Sequence, residues 1–244
     1  MHRTAKRTWL QFGDYVLVVV ISIAFFFVIW QLISSPSFMF MGTILTRIET
    51  DEKIVALTFD DGPLPVHTDE VLRLLAENDI RATFFVIGKD AERHTNELQS
   101  IVDAGHAVGN HSYTHSAMVF MPPNQVANEI EATDAVIRAA GYLGVIPFRA
   151  PYNLKFVALP FYLARHNRPD ISRDVLVQEG TERTANAIAA EVVEKVQPGS
   201  IVLLHPMYDH TASSRAAIPL IVQELKNQGY QFVKIPELLE IAGS

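Results

Sequence analysis

Two short stretches of this chain carry side chains that could bind a metal ion and use it. The first is Asp60-Asp61-Gly62-Pro63, directly after the apolar run Ile54-Val55-Ala56-Leu57-Thr58-Phe59. The second is Asn110-His111-Ser112-Tyr113-Thr114-His115. Asp61, His111 and His115 offer one oxygen and two nitrogens. Three protein donors with a fourth position open is the usual layout of catalytic zinc. The four-residue spacing of the histidines puts both on one face if that stretch turns helically. Asp60 is then a carboxylate to spare, and a metal-dependent hydrolase needs a base beside the water it activates. Alone, each stretch says little, because Asp, Gly and Pro are common turn formers. Their joint occurrence at the ends of two apolar runs carries the reading.

Two further residues complete a hydrolytic set. Arg149 can keep a neighbouring carboxylate ionised and fix its rotamer; the plainer reading is a charged strand end at the surface. His205 emerges directly from Ile201-Val202-Leu203-Leu204, and an imidazole titrates near neutrality, so it can protonate a leaving group. A lone histidine there would more simply be a satisfied core residue. The remaining histidines, His2, His67, His94, His106, His166 and His210, read as solvated or structural.

The elements that must position these groups follow from the apolar pattern. Strands are expected at 54–59, 82–87, 107–110, 145–149, 171–177, 200–205 and 231–235, with helical patterns at 68–78, 91–104, 124–140, 154–166, 185–196, 215–228 and 236–241. Gly105, Gly141 and Gly229 stand just past three of those helices, where a left-handed C-cap is common, and Pro236 fits a first helical position. Repeated β-then-α units imply a parallel sheet with helices outside. A closed or nearly closed barrel suits the count, and barrel sites sit at the C-terminal strand ends. Asp60, Asp61, His111, Arg149 and His205 all fall at such ends, at one shared mouth.

Before that domain, residues 15–33 form an uncharged run broken by Ser22 and Gln31 alone. Spanning a bilayer takes ~20 apolar residues. A cleaved signal has a shorter apolar core, ~7–15 residues, and a small-residue cleavage site; Leu32-Ile33-Ser34-Ser35-Pro36 is a poor one. The run is therefore expected as a retained transmembrane anchor, with residues 1–14 cytoplasmic because Arg3, Lys6 and Arg7 precede it. Trp9 and Trp30 flank it as interfacial anchors. Residues 34–52 are expected as a linker or added helix, and 53–244 as the catalytic domain, periplasmic or extracellular. The chain has no cysteine, which excludes disulfide scaffolds and thiolate metal sites. Arg3, Lys6, Arg7 and Asp14 lie in the first fourteen residues, so of 20 basic and 27 acidic side chains 17 and 26 remain, a net charge of −9. So acidic a domain makes nucleic acid an unsuitable partner.

The ordered motifs Thr58-Phe59-Asp60-Asp61-Gly62-Pro63, His111-Ser112-Tyr113-Thr114-His115, Arg149-Ala150-Pro151-Tyr152 and Leu203-Leu204-His205 resemble those of NodB-type polysaccharide deacetylases, carbohydrate esterase family 4. The resemblance covers about residues 53–240. It implies an α/β fold, a distorted (β/α)7 barrel, to which the apolar run adds one preceding N-terminal transmembrane helix. It implies removal of acetyl groups from an N-acetylated glycan, or at times an O-acetylated one. By the same resemblance Asp60 is the catalytic base, and Asp61, His111 and His115 bind the metal. Arg149 holds the base, the Tyr152 backbone N–H serves the oxyanion, and His205 is the general acid. Zinc is the default ion, with cobalt, nickel or manganese also suited to such donors. One motif departs from the family. After the fifth strand it usually carries an acid and a tryptophan, whereas this chain reads Ser172-Arg173-Asp174-Val175-Leu176-Val177-Gln178-Glu179-Gly180, with Asp174 and Glu179 both open as the acid that tunes His205. Two other functions fit the same residues: C–N hydrolysis of a small amide or imide, and a catalytically silent glycan-binding envelope protein.

Overall fold

The computed structural model describes residues 2–243, and side-chain surroundings for residues 14–242. Arg3, Lys6, Arg7 and Trp9, on which the expected orientation partly rests, and His2, lie outside the residues so described. Helix α1 (His2–Ile33) opens the chain. Its portion Asp14–Ile33 is long and apolar enough to cross a membrane, and almost all of it projects from the rest of the protein.

The remainder is an α/β fold around a parallel sheet. At its centre run β2 (Ile54–Asp60), β3 (Thr83–Val86), β4 (Ala107–Asn110) and β7 (Ser200–Leu204), every residue buried. Such unbroken burial is what a parallel strand covered on both faces requires. The strand order is β4-β3-β2-β7-β6, with β6 (Val175–Leu176) outermost and β8 (Gln231–Phe232) joined to the start of β2. Beyond β4, Phe148 bridges Asn110 on one side and Asp170 on the other, both in parallel. This carries the wall on to β5 (Asp170–Ile171) and then to β1 (Ile44–Leu45).

The strand period of two sorts the side chains into two layers. Val55, Leu57 and Phe59 point outward to the helices, joined by Phe84, Val86, Val202 and Leu204. Ile54 and Ala56 point inward, with Phe85, Ile171 and Ile201. Thr58 and Asp60 continue that inward row, so the strand itself lifts Asp60 to the C-terminal end of the enclosed space. Gly109 allows this packing: a Cβ there would lie 2.5 Å from Phe85 Cδ1.

The outer layer is α2 (His67–Glu77), α3 (Gly88–Arg93), α4 (Thr95–Asp103), α5 (Pro123–Ala139), α6 (Ala158–Arg165), α7 (Ala185–Lys195) and α8 (Ala212–Asn227), whereas α9 (Ile235–Gly243) packs Ile235 and Leu238 against the inward-pointing strand residues. Each inner face follows helical spacing, as with Val126, Ile130, Thr133 and Ile137 of α5.

Several expected elements differ. The helix over 91–104 is two helices, broken at His94, whose backbone (φ −120°, ψ 55°) is non-helical. The strand over 145–149 is a single bridging residue, Phe148. The strand over 171–177 divides: β5 pairs with β1, and β6 pairs with β7. Residues 34–52 contain no helix; they supply β1, and Ile48 joins the inner core. That insertion explains the division, because Leu45 O accepts the Ser172 N–H and Arg47 bridges Ser200. The N-terminal segment fills the wall where one long fifth strand was expected.

Candidate active site

A cleft of about 330 Å³ opens at the C-terminal strand ends, lined by Asp60, Asp61, His111, His115, Arg149, Tyr152, Asn153, Arg173 and His205 among others. Of the larger clefts, two of about 430 and 390 Å³ lie between α6 and α9, and others of about 490 and 480 Å³ lie elsewhere on the surface. None of them gathers a comparable set of donors. Among the described residues, Asp61, His111 and His115 are the one group of three potential ligands, their donor atoms all within 4.8 Å of one another.

The structure brings the two histidines together by a route other than the helical turn expected. Residues 111–115 form a loop in which Ser112 (φ 62°) and His115 (φ 58°) are left-handed. The loop is pinned from three directions. Asn110 Oδ1 accepts the Ser112 N–H at 2.9 Å, and Ser112 Oγ accepts the His115 N–H at 3.0 Å. Glu129 of α5 accepts the N–H groups of Tyr113 and Thr114 and the Thr114 hydroxyl. The rings of His111 and His115 end with centroids 4.9 Å apart.

The donor set fits a divalent cation. Asp61 Oδ1 is buried with no hydrogen-bond partner. It lies 3.4 Å from His115 Nε2 and 3.9 Å from His111 Nε2. A tetrahedral zinc with bonds of ~2.0–2.1 Å sets its donors about 3.3 Å apart. His111 Nδ1 meets the Arg149 carbonyl at 2.9 Å. That contact makes Nδ1 the protonated nitrogen and leaves the Nε2 lone pair for a metal. Burial, and then the neighbouring His111, push His115 below the ordinary imidazole value, which favours the neutral ligand form. Tyr208 stands near the same carboxylate; burial, then the Asp61 charge, push its phenol well above the usual range.

Asp60 adjoins that set, its Oδ2 3.6 Å from His111 Nε2, but its other oxygen is held by an arginine. Its Oδ1 accepts from Arg149 Nη1 at 2.6 Å, and both side chains are almost fully buried. Burial works to raise the Asp60 pKa. The Arg149 guanidinium, then His111 and His205, outweigh it and hold the carboxyl below its ordinary value. Arg149 is itself fixed: Nε donates to Ile171 O, Nη2 to Ser172 O and Nη1 also to Thr58 Oγ1. Its guanidinium lies 4.0 Å from the centre of the Phe85 ring. The surface strand-end reading of Arg149 is thereby overturned. Its carbonyl partners are those released where the wall divides between β5 and β6.

His205 and its acid are also resolved. Glu179 Oε2 lies 2.7 Å from His205 Nδ1, and both Glu179 oxygens accept the His205 N–H at 3.0 Å. Asp174 is engaged elsewhere, with Ser200 Oγ and the Ile201 N–H. Burial would lower the His205 pKa; the Glu179 hydrogen bond, helped by the charges of Asp60, Glu179 and Asp61, raises it to about 9. Tyr152 is left-handed (φ 55°), and its exposed ring packs on His115 with centroids 4.6 Å apart.

Sequence reasoning missed Glu129 and Tyr208. Glu129 reads as an exposed acid on an amphipathic helix, and only the fold turns it towards the histidine loop. Tyr208 had a faint signal, lying three residues after His205 at the same mouth.

The family model described as polysaccharide deacetylase matches residues 47–158. A bifunctional xylanase/deacetylase of Pseudobutyrivibrio xylanivorans is 34% identical over 201 residues, 79% of this chain and 31% of that protein. A peptidoglycan-N-acetylglucosamine deacetylase of Bacillus cereus is 31% identical over 188 residues, 76% of this chain and 68% of that protein. The chain thus spans less than a third of the first relative and two thirds of the second. Among solved structures, a family 4 acetyl xylan esterase from Clostridium thermocellum, in complex with a cobalt ion, superposes with a TM-score of 0.71. The two are 34% identical, and the match covers 78% of this chain and 92% of that one. Identity, coverage and fold together make this chain a member of the polysaccharide deacetylase family.

Proposed function

We propose that the chain is a metal-dependent hydrolase that removes N-acetyl groups from a cell-envelope polysaccharide or amino sugar. The observation that carries this reading is one cleft holding two separate devices. One is a donor triad, Asp61, His111 and His115; the other is an arginine-held carboxylate, Asp60, with a glutamate-tuned His205 close by. Zinc suits the triad, and cobalt, nickel or manganese would also fit it. When bound, the ion supplies Lewis acidity, which polarises an acyl carbonyl and acidifies water.

The chain's own residues do the rest. Asp60, ionised and fixed by Arg149, accepts the proton of the attacking water. The Tyr152 backbone N–H, set by its left-handed conformation, donates to the oxygen that becomes negative as the tetrahedral centre forms. His205, protonated at neutral pH through Glu179, gives its proton to the departing amine. A silent glycan-binding role leaves the Asp60–Arg149 pair and the Glu179–His205 pair without a task. A small amide or imide is a poorer fit to an enzyme carried on a membrane span.

In the same reading residues 53–244 are the catalytic domain, a distorted (β/α)7 barrel. Residues 34–52 link it to a single-pass anchor at 15–33. Residues 1–14 are cytoplasmic and the catalytic domain lies outside. The partners are the membrane, through that helix, and an N-acetylated glycan rather than nucleic acid. The test is acetate release by the purified chain with zinc from N-acetylglucosamine oligomers, peptidoglycan and O-acetylated xylan. Release from one of the N-acetylated glycans is expected, and Asp60→Asn should abolish it while keeping its metal. Near wild-type release by Asp60→Asn removes the base assignment.

A further inference from the structure

Phe38, Phe40, Phe156 and Phe120 form a chain of ring contacts, with centroids 5.3, 5.9 and 5.8 Å apart in turn. None belongs to the buried core. Phe120 is 80% exposed, Phe40 55%, and Val157, beside Phe156, 60%. A contiguous apolar surface of this kind on a soluble face marks an interaction site.

Its position says with what. The last turn of α1 and the residues after it are fastened to the segment that carries Phe156. The Lys155 N–H donates to Ile33 O at 3.1 Å, Asn153 Nδ2 to Ser34 O at 2.7 Å, and Lys155 Nζ to Ser35 O at 3.0 Å. A cation at a helix C-terminus is favoured by the helix dipole. Lys155 is fully buried and lies 3.5 Å from Asp170 Oδ2, while Asp170 Oδ1 accepts the Ala150 N–H. The end of the span is thus tied into the wall that carries Arg149. Asn153 also lines the catalytic cleft. Phe38 follows Ile33 by five residues, a reach of at most ~18 Å even for an extended chain. The aromatic rings, the end of the span and the catalytic mouth therefore share one small region.

The geometry points to a membrane-docking surface: Phe38, Phe40, Phe120, Phe156 and Val157 sit in the interfacial layer of the bilayer that α1 crosses, and hold the catalytic mouth at the membrane surface. Aromatic and apolar side chains are the ones that settle in that layer. The inference rests on the reading of 15–33 as a retained anchor. Neighbouring rings meet edge to face, at 73–74°, which suits insertion among lipids better than flat stacking of a sugar. The consequence for substrate is that the enzyme works on glycan displayed at its own membrane rather than in distant layers of the envelope.

The absence of cysteine permits a direct test. The full chain is placed in phosphatidylcholine/phosphatidylglycerol vesicles as four single-cysteine variants: Phe120→Cys, Phe40→Cys, Phe26→Cys within α1, and Leu143→Cys. Leu143 is 92% exposed beside the N-terminal end of β4, away from the mouth. Each is labelled with an environment-sensitive fluorophore, and doxyl-labelled lipid is titrated in. Quenching of the labels at positions 26, 120 and 40, with the label at 143 unaffected, is expected. Quenching at 26 with 120 and 40 as unaffected as 143 overturns the docking surface and leaves the anchor standing. No quenching at 26 overturns the anchor and the docking surface together. A blue shift at 120 and 40 without quenching by lipid assigns the patch to a second copy of the chain and also overturns the proposal. Acetate release, measured on the unaltered chain, reports on the deacetylase reading independently.

Discussion

Glu179→Gln tests whether one carboxylate sets the pH range of the reaction. Glu179 is the direct partner of His205 Nδ1, at 2.7 Å. Burial opposes an imidazolium at this site, and Glu179 supplies the hydrogen bond and part of the charge that raise His205 to about 9. Glutamine keeps an acceptor for the His205 N–H but removes the charge. Burial then offsets what Asp60 and Asp61 still contribute, and His205 returns to the region of ~6.5 usual for imidazole. At pH 8 an acid of pKa about 9 is ~90% protonated, and one of ~6.5 is ~3% protonated, so kcat should fall about thirty-fold. At pH 6 both proteins are mostly protonated, and their rates should agree within about twofold. The assay is acetate release by the zinc-loaded chain across roughly pH 6–10. The charge of a bound ion acts on His205 in both proteins, so the displacement between the two profiles carries the test. Superposed alkaline limbs refute the reasoning, and an equal fall at every pH reduces Glu179 to a positioning residue. The same linkage has a sign for stability. A raised folded pKa adds stability that is complete below the unfolded value of ~6.5 and lost as pH rises through about 9. His205 is partly exposed, so solvent screening keeps this contribution small; Glu179→Gln should flatten that part of a Tm-against-pH curve.

Three further outcomes follow from the packing. Arg149→Met leaves Asp60 buried without its cation and strips donors from Thr58, Ile171 and Ser172; urea unfolding should show a loss of about 3–5 kcal/mol, with or without metal. His115→Ala removes one of three donors, so metal content after dialysis should fall well below that of the unaltered chain, while the far-ultraviolet circular dichroism stays unchanged because the His115 side chain makes no hydrogen bond among the described residues. Gly109→Ala sets a methyl group 2.5 Å from the Phe85 ring, on which Arg149 is stacked; overpacking of this kind costs about 1–3 kcal/mol by the same unfolding assay.

The central strands were legible because burial on both faces leaves an unbroken apolar run, and the run over 54–59 also dictates where Asp60 emerges. The donor triad was legible as residue types, but the route by which it assembles was not. His111 and His115 resemble neighbours on a helix, and they meet instead through two left-handed backbone positions held by Asn110 and Glu129. No periodicity announces such a loop, because its hydrogen bonds come from its own side chains and from a helix beginning eight residues after His115.

The fifth strand shows the limit most clearly. Read alone, 171–177 is one strand with a candidate acid within it, Asp174, and a second just after it, Glu179. In the fold the N-terminal segment enters the wall at Leu45 and Arg47, and the strand divides around it. Arg149 reaches the carbonyls of Ile171 and Ser172 at that division, and those contacts orient the guanidinium towards Asp60. Asp174, just past the division, is drawn down to the start of β7, leaving Glu179 to reach His205 at its end. Which of the two acids meets the histidine is therefore settled by where each sits along β7, and a local motif had no means of stating it.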